Sequence, residues 1–382
     1  MTARKIKLLR VLRGLPIGGL ERRTLDVLDA LQRTGDFDCR IVTILEKGEL
    51  FAQAQSLGIP TQFIPVLHRF HWKGLMALRR YIAAERFDIV HTQSFYPNVP
   101  GRVAALLAGV PAIVAQHHNL FSRKCRRWKH KFYERQLARW TTRIVCVSKA
   151  VMDDYLSATG ISPGKVEVIY NGIHLDVFEK PQDVRGLREE LAITTPFVVG
   201  LIARLTPTKD PLTFLRAADL VACARSDVTF LLVGDGKPEY RAKLERLADA
   251  GGLRGRVRLT GVRRDVPGII QLCDVGVLTS RYEGLPGVVI EFFAAGKPMI
   301  VTDVPGPREI VTPEQDALVV PPRDPPALAR ALLRLLEDAG LRSRLGAAAR
   351  RRAADFSLDR MVENYAALYR GLCRKTAGPG KE

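Results

Sequence analysis

Glu283-Gly284-Leu285-Pro286-Gly287-Val288-Val289-Ile290-Glu291 sets two carboxylates around a Gly-Leu-Pro-Gly turn. The apolar run from Val288 to Ala295 reads as the start of a helix, so the N–H groups of Gly287, Val288 and Val289 point at an anion. A glycosidase pair would need facing carboxyls about 5 to 9.5 Å apart. Glu291 falls in or beyond the first helical turn and Glu283 precedes the turn, so the two grip different parts of one elongated ligand. Upstream, Arg204 and Lys209 bracket Leu-Thr-Pro-Thr, with Asp210 placed to cap the next helix and Pro211 in its first turn. Two cations fixed at the mouth of a sheet form a natural diphosphate clamp, Arg through its fork and Lys as a point charge. The same pair also reads as two solvated surface charges. Gly14-Leu15-Pro16-Ile17-Gly18-Gly19 brings backbone close to a phosphate or sugar, or simply makes a tight strand-to-helix turn. In Gln116-His117-His118-Asn119, no Cys, Asp or Glu stands at ligand spacing from the paired histidines. They read as a hydrogen-bond donor to a ligand or as structural histidines.

Each motif follows a strand. Apolar runs at Ile6–Leu12, Arg40–Leu45, Thr61–Ile64, Ile89–Thr92, Ala112–Gln116, Arg143–Val147 and Val166–Tyr170 alternate with amphipathic stretches such as Leu20–Arg33 and Trp128–Arg139. The alternation pauses at Asn171-Gly172. It restarts with Phe197–Ile202, Thr229–Val233, Val257–Leu259, Val275–Leu278, Pro298–Val301 and Ala317–Val320. This pattern predicts two α/β domains with parallel sheets, whose ligands bind beyond the carboxyl ends of the strands. The expected division is 1–175, 176–355, and a closing helix with tail over 356–382.

The chain has 382 residues, 47% of them apolar and 26% charged, which excludes a largely disordered protein. No apolar run approaches the ~18–20 residues that span a bilayer, and no secretory signal is evident. Six scattered cysteines form no Cys-x-x-Cys pair, so a reducing cytosol fits best. The formal charge is +19. Residues 1–180 hold 28 basic and 15 acidic side chains, against 31 and 25 in residues 181–382. The more basic first half points to an anionic partner. Six of the ten residues from Ser122 to Lys131 are Lys or Arg, with Trp128 and Phe132 four apart. Basic residues with aromatic anchors suit peripheral contact of residues 121–133 with an anionic membrane. A solvated basic helix with those aromatics in the core fits the same spacing. No nucleic-acid module is recognisable, so no nucleic-acid partner is expected.

Together the motifs carry a resemblance. Gly18-Gly19, DIVHTQSFYPNVPGRVAALLAGVPAIVAQHHN (Asp88–Asn119), VIYNGI (Val168–Ile173), ARLTPTKD (Ala203–Asp210), LLVGDG (Leu231–Gly236) and SRYEGLPGVVIEFFAAGKPMIVTD (Ser280–Asp303) run in order through nearly the whole chain. The sequence resembles the retaining nucleotide-sugar glycosyltransferases of the GT-B fold, glycosyltransferase family 4. The resemblance implies two Rossmann-like domains facing across a cleft, with the last helix packing back on the N-terminal domain. It implies that Arg204, Lys209, Gly287 and Val288 hold the donor diphosphate, Glu291 the donor ribose, and Glu283 the transferred sugar. It places His118 beside that sugar, Val262 and Arg263 near the base, and Gly18 and Gly19 along the cleft. Three positions depart from the family pattern: Gly287 where Asn is common, Phe292 where Ala is common, and His117 adjoining the expected histidine.

The reading is therefore a retaining enzyme that moves a sugar from a nucleotide-diphosphate donor to an acceptor hydroxyl, in cell-envelope polysaccharide or glycolipid biosynthesis. A glycan or lipid-linked acceptor is expected. No cofactor and no divalent metal are expected, since the sole Asp-x-Asp, Asp36-Phe37-Asp38, precedes a strand instead of following one. The expected location is the cytoplasm, with peripheral contact at the inner face of the plasma membrane. A non-catalytic sugar-nucleotide-binding module and a sugar-nucleotide epimerase are the alternatives.

Overall fold

A computed structural model describes residues 4–67, 71–124 and 128–376, without the side chains of Lys124, Trp128, Lys129, Lys375 and Thr376. Within the basic segment, Cys125, Arg126 and Arg127 therefore lie outside the described residues. The chain divides into two compact units, one of Met1–Gly172 with Leu358–Glu382 and the other of Ile173–Ser357.

The first unit is built on seven strands: β1 (Ile6–Leu12), β2 (Phe37–Thr43), β3 (Thr61–Phe63), β4 (Ile89–Gln93), β5 (Ala112–His117), β6 (Arg143–Cys146) and β7 (Val166–Val168). Every pairing is parallel, in the order β3-β2-β1-β4-β5-β6-β7. The chain order reverses between β1 and β4, the place where an open α/β sheet leaves a crevice beyond its strand ends. Side chains alternate across the sheet. Leu8 and Leu12 of β1 enter a core shared with the helix Gly19–Arg33 and the C-terminal helix Leu358–Thr376. Leu9 and Val11 enter the opposite core, under the helices Trp72–Glu85 and Phe95–Leu107. The latter helix carries Pro97 in its first turn, where an N–H has no intrahelical partner to lose, and Pro100 further inside.

The second unit is built on β8 (Phe197–Ile202), β9 (Val228–Val233), β10 (Val257–Gly261), β11 (Val275–Leu278), β12 (Met299–Thr302) and β13 (Ala317–Val320), in the order β10-β9-β8-β11-β12-β13 and again all parallel. Here the reversal lies between β8 and β11. Gly276 on β11 lets the helix Gly287–Ala294 pack close, since a Cβ there would lie 2.6 Å from the Phe292 ring. Phe292, where the family pattern has Ala, is thus fully buried in space left by Gly276.

A buried ion pair ties the first unit together. Arg102 and Glu134, 1% and 4% exposed, form a two-pronged contact at 2.9 and 2.5 Å. The Tyr155 hydroxyl donates to the same carboxylate at 2.8 Å, and Arg102 Nε donates to the Asn98 carbonyl at 2.7 Å. Burial pushes the Glu134 carboxyl up, but Arg102 and His117 outweigh it and hold it well below the usual range. Removing one partner strands the other charge, so Glu134→Gln is expected to cost about 3–5 kcal/mol of stability by denaturant unfolding. A carboxyl held down in the folded state stabilises above its unfolded pKa of 4.5, so stability should fall as pH drops below that value. A Glu134→Gln protein as stable as wild type at pH 7 would remove the pair from this role.

Candidate active site

The second unit places Arg204 and Lys209 on the loop after β8, beside the loop after its neighbour β11. Two features hold the Arg204 end. Leu205 N–H donates to the Asp235 carbonyl at 2.8 Å, and a bridge joins Leu205 to Gly236. A Cβ on Gly236 would lie 2.1 Å from the Leu205 carbonyl oxygen, and one on Gly234, at φ +126°, 1.9 Å from that of Ala203. The glycines of LLVGDG therefore serve the close approach of two backbones. Arg204 itself is exposed and makes no ion pair among the described residues.

Lys209 is held differently. Its ammonium pairs with Glu283 Oε1, which also accepts from the Ser280 hydroxyl at 2.6 Å. The Thr279 hydroxyl donates to the Lys209 and Asp210 carbonyls at 2.8 and 3.0 Å, and Arg281 N–H donates to the Thr208 carbonyl at 2.8 Å. Asp210 sits at the helix N-cap in the left-handed region, φ 51°, but its side chain does not cap the helix. Its buried carboxylate instead accepts from the Thr213 hydroxyl at 3.0 Å and Arg281 Nε at 3.1 Å. The cap expected from sequence gives way to an ion pair that joins the two loops. A strained non-glycine backbone at this point is the kind that surrounding structure must enforce.

The helix after the turn starts at Gly287. Val289 N–H is taken by the Pro286 carbonyl at 3.2 Å. The N–H groups of Gly287 and Val288 have no acceptor among the described residues. Glu291 lies one turn later, on the same face as Gly287. Behind the turn, Gly306 allows contact, since its Cβ would lie 2.8 Å from the Glu283 and Gly284 carbonyl oxygens. Just past β10, Val262 is 73% exposed. The Arg263 guanidinium is committed to Glu190 at 2.5 Å and Asp265 at 2.6 Å, and hydrogen bonds to those carboxylates raise its pKa further.

In the first unit, Gly18 ends the loop after β1 and its carbonyl accepts from Arg22 N–H at 3.0 Å. Gly19 opens the helix. Neither has a left-handed φ; the glycine this loop requires is Gly48, at φ +81°, whose Cβ would meet Leu15 backbone at 2.2 Å. β5 ends at His117, so His118 stands on the loop just beyond it. His117 is buried 3.7 Å from Glu134 and packs on Tyr155. Both histidines line the pocket past the strand ends, together with Arg13, Glu21, Ser94, Tyr96 and Asn119. Burial, then Arg10, His117 and Arg23, lower the His118 pKa to about 3, so it stands neutral at physiological pH. Ser94, not singled out from sequence, holds φ 73° at the end of β4.

Two loops of one unit and the helix that follows thus carry two cations, two unpaired N–H groups and two carboxylates, while His118 and Gly18-Gly19 follow β5 and β1 of the other unit. Among the described residues no cluster of three His, Cys, Asp or Glu could hold a metal ion.

Comparison with known proteins gives the family. Residues 17–177 match the description Glycosyltransferase Family 4, and residues 196–338 match Glycosyl transferases group 1. The chain is 31% identical over 350 residues to an Escherichia coli UDP-Gal:alpha-D-GlcNAc-diphosphoundecaprenol alpha-1,3-galactosyltransferase, covering 88% of this chain and 89% of that protein. It is 41% identical over 152 residues to the Rhizobium meliloti lipopolysaccharide core biosynthesis glycosyltransferase LpsD, covering 40% and 42%. Among solved structures, Anabaena HepE in complex with UDP superposes with a TM-score of 0.86 at 22% identity, over 96% of this chain and 100% of that one. The chain belongs to glycosyltransferase family 4, with the GT-B fold, and is a glycosyltransferase.

Proposed function

We propose that the enzyme transfers a hexose from a nucleotide-diphosphate donor to a hydroxyl of a lipid-linked glycan, with retention at the anomeric carbon and without a divalent metal. The observation that carries this reading is the joining of the Arg204–Asp210 and Thr279–Val288 loops, which sets Lys209, Glu283 and the open N–H groups of one helix at adjoining strand ends. As the donor bond breaks, charge builds on the departing diphosphate. Arg204, Lys209 and the Gly287 and Val288 N–H groups meet that charge, which is catalysis by preorganised donors. Lys209 is held by Glu283 until a phosphate oxygen offers a second acceptor, and Glu283 then has lone pairs for a hydroxyl of the sugar. Glu291 takes the ribose and Val262 offers an apolar surface to the base. His118, kept neutral, hydrogen-bonds the sugar without competing for phosphate charge. The leaving phosphate takes the acceptor proton on the face it vacates. The printed activity of the Escherichia coli relative supports a lipid-diphosphate-linked acceptor, and the HepE complexes with UDP and UDP-glucose support the donor class.

The reading includes peripheral contact with an anionic membrane through residues 121–133. No described helix is long and apolar enough to cross a membrane. On the helix Trp128–Trp140, Phe132 is 51% exposed and Tyr133 and Trp140 are exposed as well, which supports aromatic anchors on a basic surface.

Lys209→Ala should raise the transfer barrier by about 2–4 kcal/mol, as loss of one oxyanion donor does. Glu291→Gln should mainly weaken nucleotide binding, while Glu283→Gln should mainly slow single turnovers. Calorimetric affinity and single-turnover rates measure both; wild-type turnover by a folded Lys209→Ala protein refutes the clamp. Co-sedimentation with vesicles should require anionic lipid, weaken with salt, and fall when Arg123, Lys124, Arg126 and Arg127 become Gln. Binding unchanged by these substitutions, or none in wild type, refutes the membrane contact.

A further inference from the structure

Arg102 has a carboxylate, but the other buried arginine of the first unit has none. Arg10, 3% exposed, projects from β1 toward the C-terminal helix. Its Nη1 donates to the Tyr369 hydroxyl at 3.1 Å and to His91 Nδ1 at 2.6 Å. Its Nη2 donates to Gln116 Oε1 at 3.0 Å and to Gln93 Oε1. All four acceptors are neutral. A guanidinium does not deprotonate in proteins, so this is a buried cation without a countercharge.

A cavity of ≈10 Å³ adjoins it, about the room of one water-sized sphere. Arg10, Arg23, Gln116, His118, Asn171 and Tyr365 contribute to its lining, which contains no carboxylate. Polar atoms of these residues are buried without a protein partner: Arg10 Nε, Gln116 Nε2, both His118 ring nitrogens, Asn171 Oδ1 and the Tyr365 hydroxyl. Arg10 Nε–H, the Gln116 amide, the Tyr365 hydroxyl and one His118 nitrogen all donate, and the Asn171 amide can turn to do so. Donors outnumber acceptors, the fixed charge is positive, and the space is too small for phosphate or sulfate.

We propose that this cavity binds one halide ion, of chloride size, as the counterion of Arg10. Asn171 of the Val168–Ile173 motif is 6% exposed at this cavity, and turning its amide would replace the unpartnered Oδ1 with a donor. Burial, and after it Arg10, His117 and Arg23, lower the pKa of His118 in the same surroundings. A water molecule would satisfy donors but neutralise nothing. The proposal does not rest on the sugar-transfer reading, and its readouts do not involve activity.

The test is thermal unfolding of the full chain at fixed ionic strength, with sodium methanesulfonate replaced stepwise by chloride or bromide. A ligand of the folded state should give a saturable rise in Tm, on the order of 2–4 °C. Gln116→Glu keeps the side-chain shape and puts a carboxylate where Oε1 already meets Arg10. That variant should match or exceed the wild-type Tm in methanesulfonate and lose the halide response. Tyr365→Phe removes one donor and should raise the half-saturating halide concentration several-fold. Bromide-soaked crystals should show an anomalous peak in the cavity, which decides alone if the Gln116→Glu protein does not fold. No halide response in wild type, an unchanged response in Gln116→Glu, or ordered water without an anomalous signal overturns the proposal.

Discussion

The contact of Lys209 with Glu283 holds a lysine at the strand ends, and under the proposed function it keeps that lysine ready for an incoming diphosphate. Much of the second unit serves that contact. The reversal of strand order sets β8 beside β11, so two loops distant in sequence leave the sheet side by side. Thr279 and Arg281 tie one loop to the backbone of the other, and Asp210, in a strained conformation, spends its carboxylate on Arg281 instead of capping its helix. Ser280 takes a share of Glu283, and Gly306 lets the Glu283 turn rest on its neighbour. Without these ties a flexible four-carbon stem would wander, and its entropy would be lost only when substrate arrived.

The first unit treats buried charge in two ways. Arg102 is matched by Glu134, with Tyr155 and Asn98 completing the pattern, so the pair is self-contained and structural. Arg10 is surrounded by neutral acceptors and sits against a cavity whose lining shares His118 with the pocket past the strand ends. Burial first, and then the fixed positive charge of Arg10, keep the imidazole of His118 neutral, while His117, one residue earlier, lies 3.7 Å from Glu134.

Strand–helix alternation made the fold legible in sequence. β1, β8, β11 and β13 fall on the expected residues because short apolar runs bounded by turn residues admit little else in a parallel sheet. β2 begins three residues before the expected strand, since Phe37 and Cys39 are core residues interleaved with polar ones and resemble a loop from composition. Among the site residues, those placed by the local chain were readable: the open N–H groups of Gly287 and Val288 follow from a turn and an apolar helix. What could not be read were partnerships across the sheet. Nothing local joins Lys209 to Glu283, Asp210 to Arg281, or Gly236 to the carbonyl of Leu205. Gly48, not Gly18 or Gly19, is the glycine the first loop requires, because the constraint comes from the strand pairing of β1 with β2.

The central claim is that Lys209 and Arg204 are held to recognise the second phosphate of a nucleotide. The direct measurement is calorimetric affinity for nucleoside diphosphates and the matching monophosphates, in wild type and in Arg204→Gln/Lys209→Met. Wild type should prefer the diphosphate of its base by at least about tenfold, one 1.4 kcal/mol step for the added charged contacts. The double variant should bind both forms nearly alike, with its monophosphate affinity little changed. A preference for the diphosphate that survives in the double variant would contradict the account.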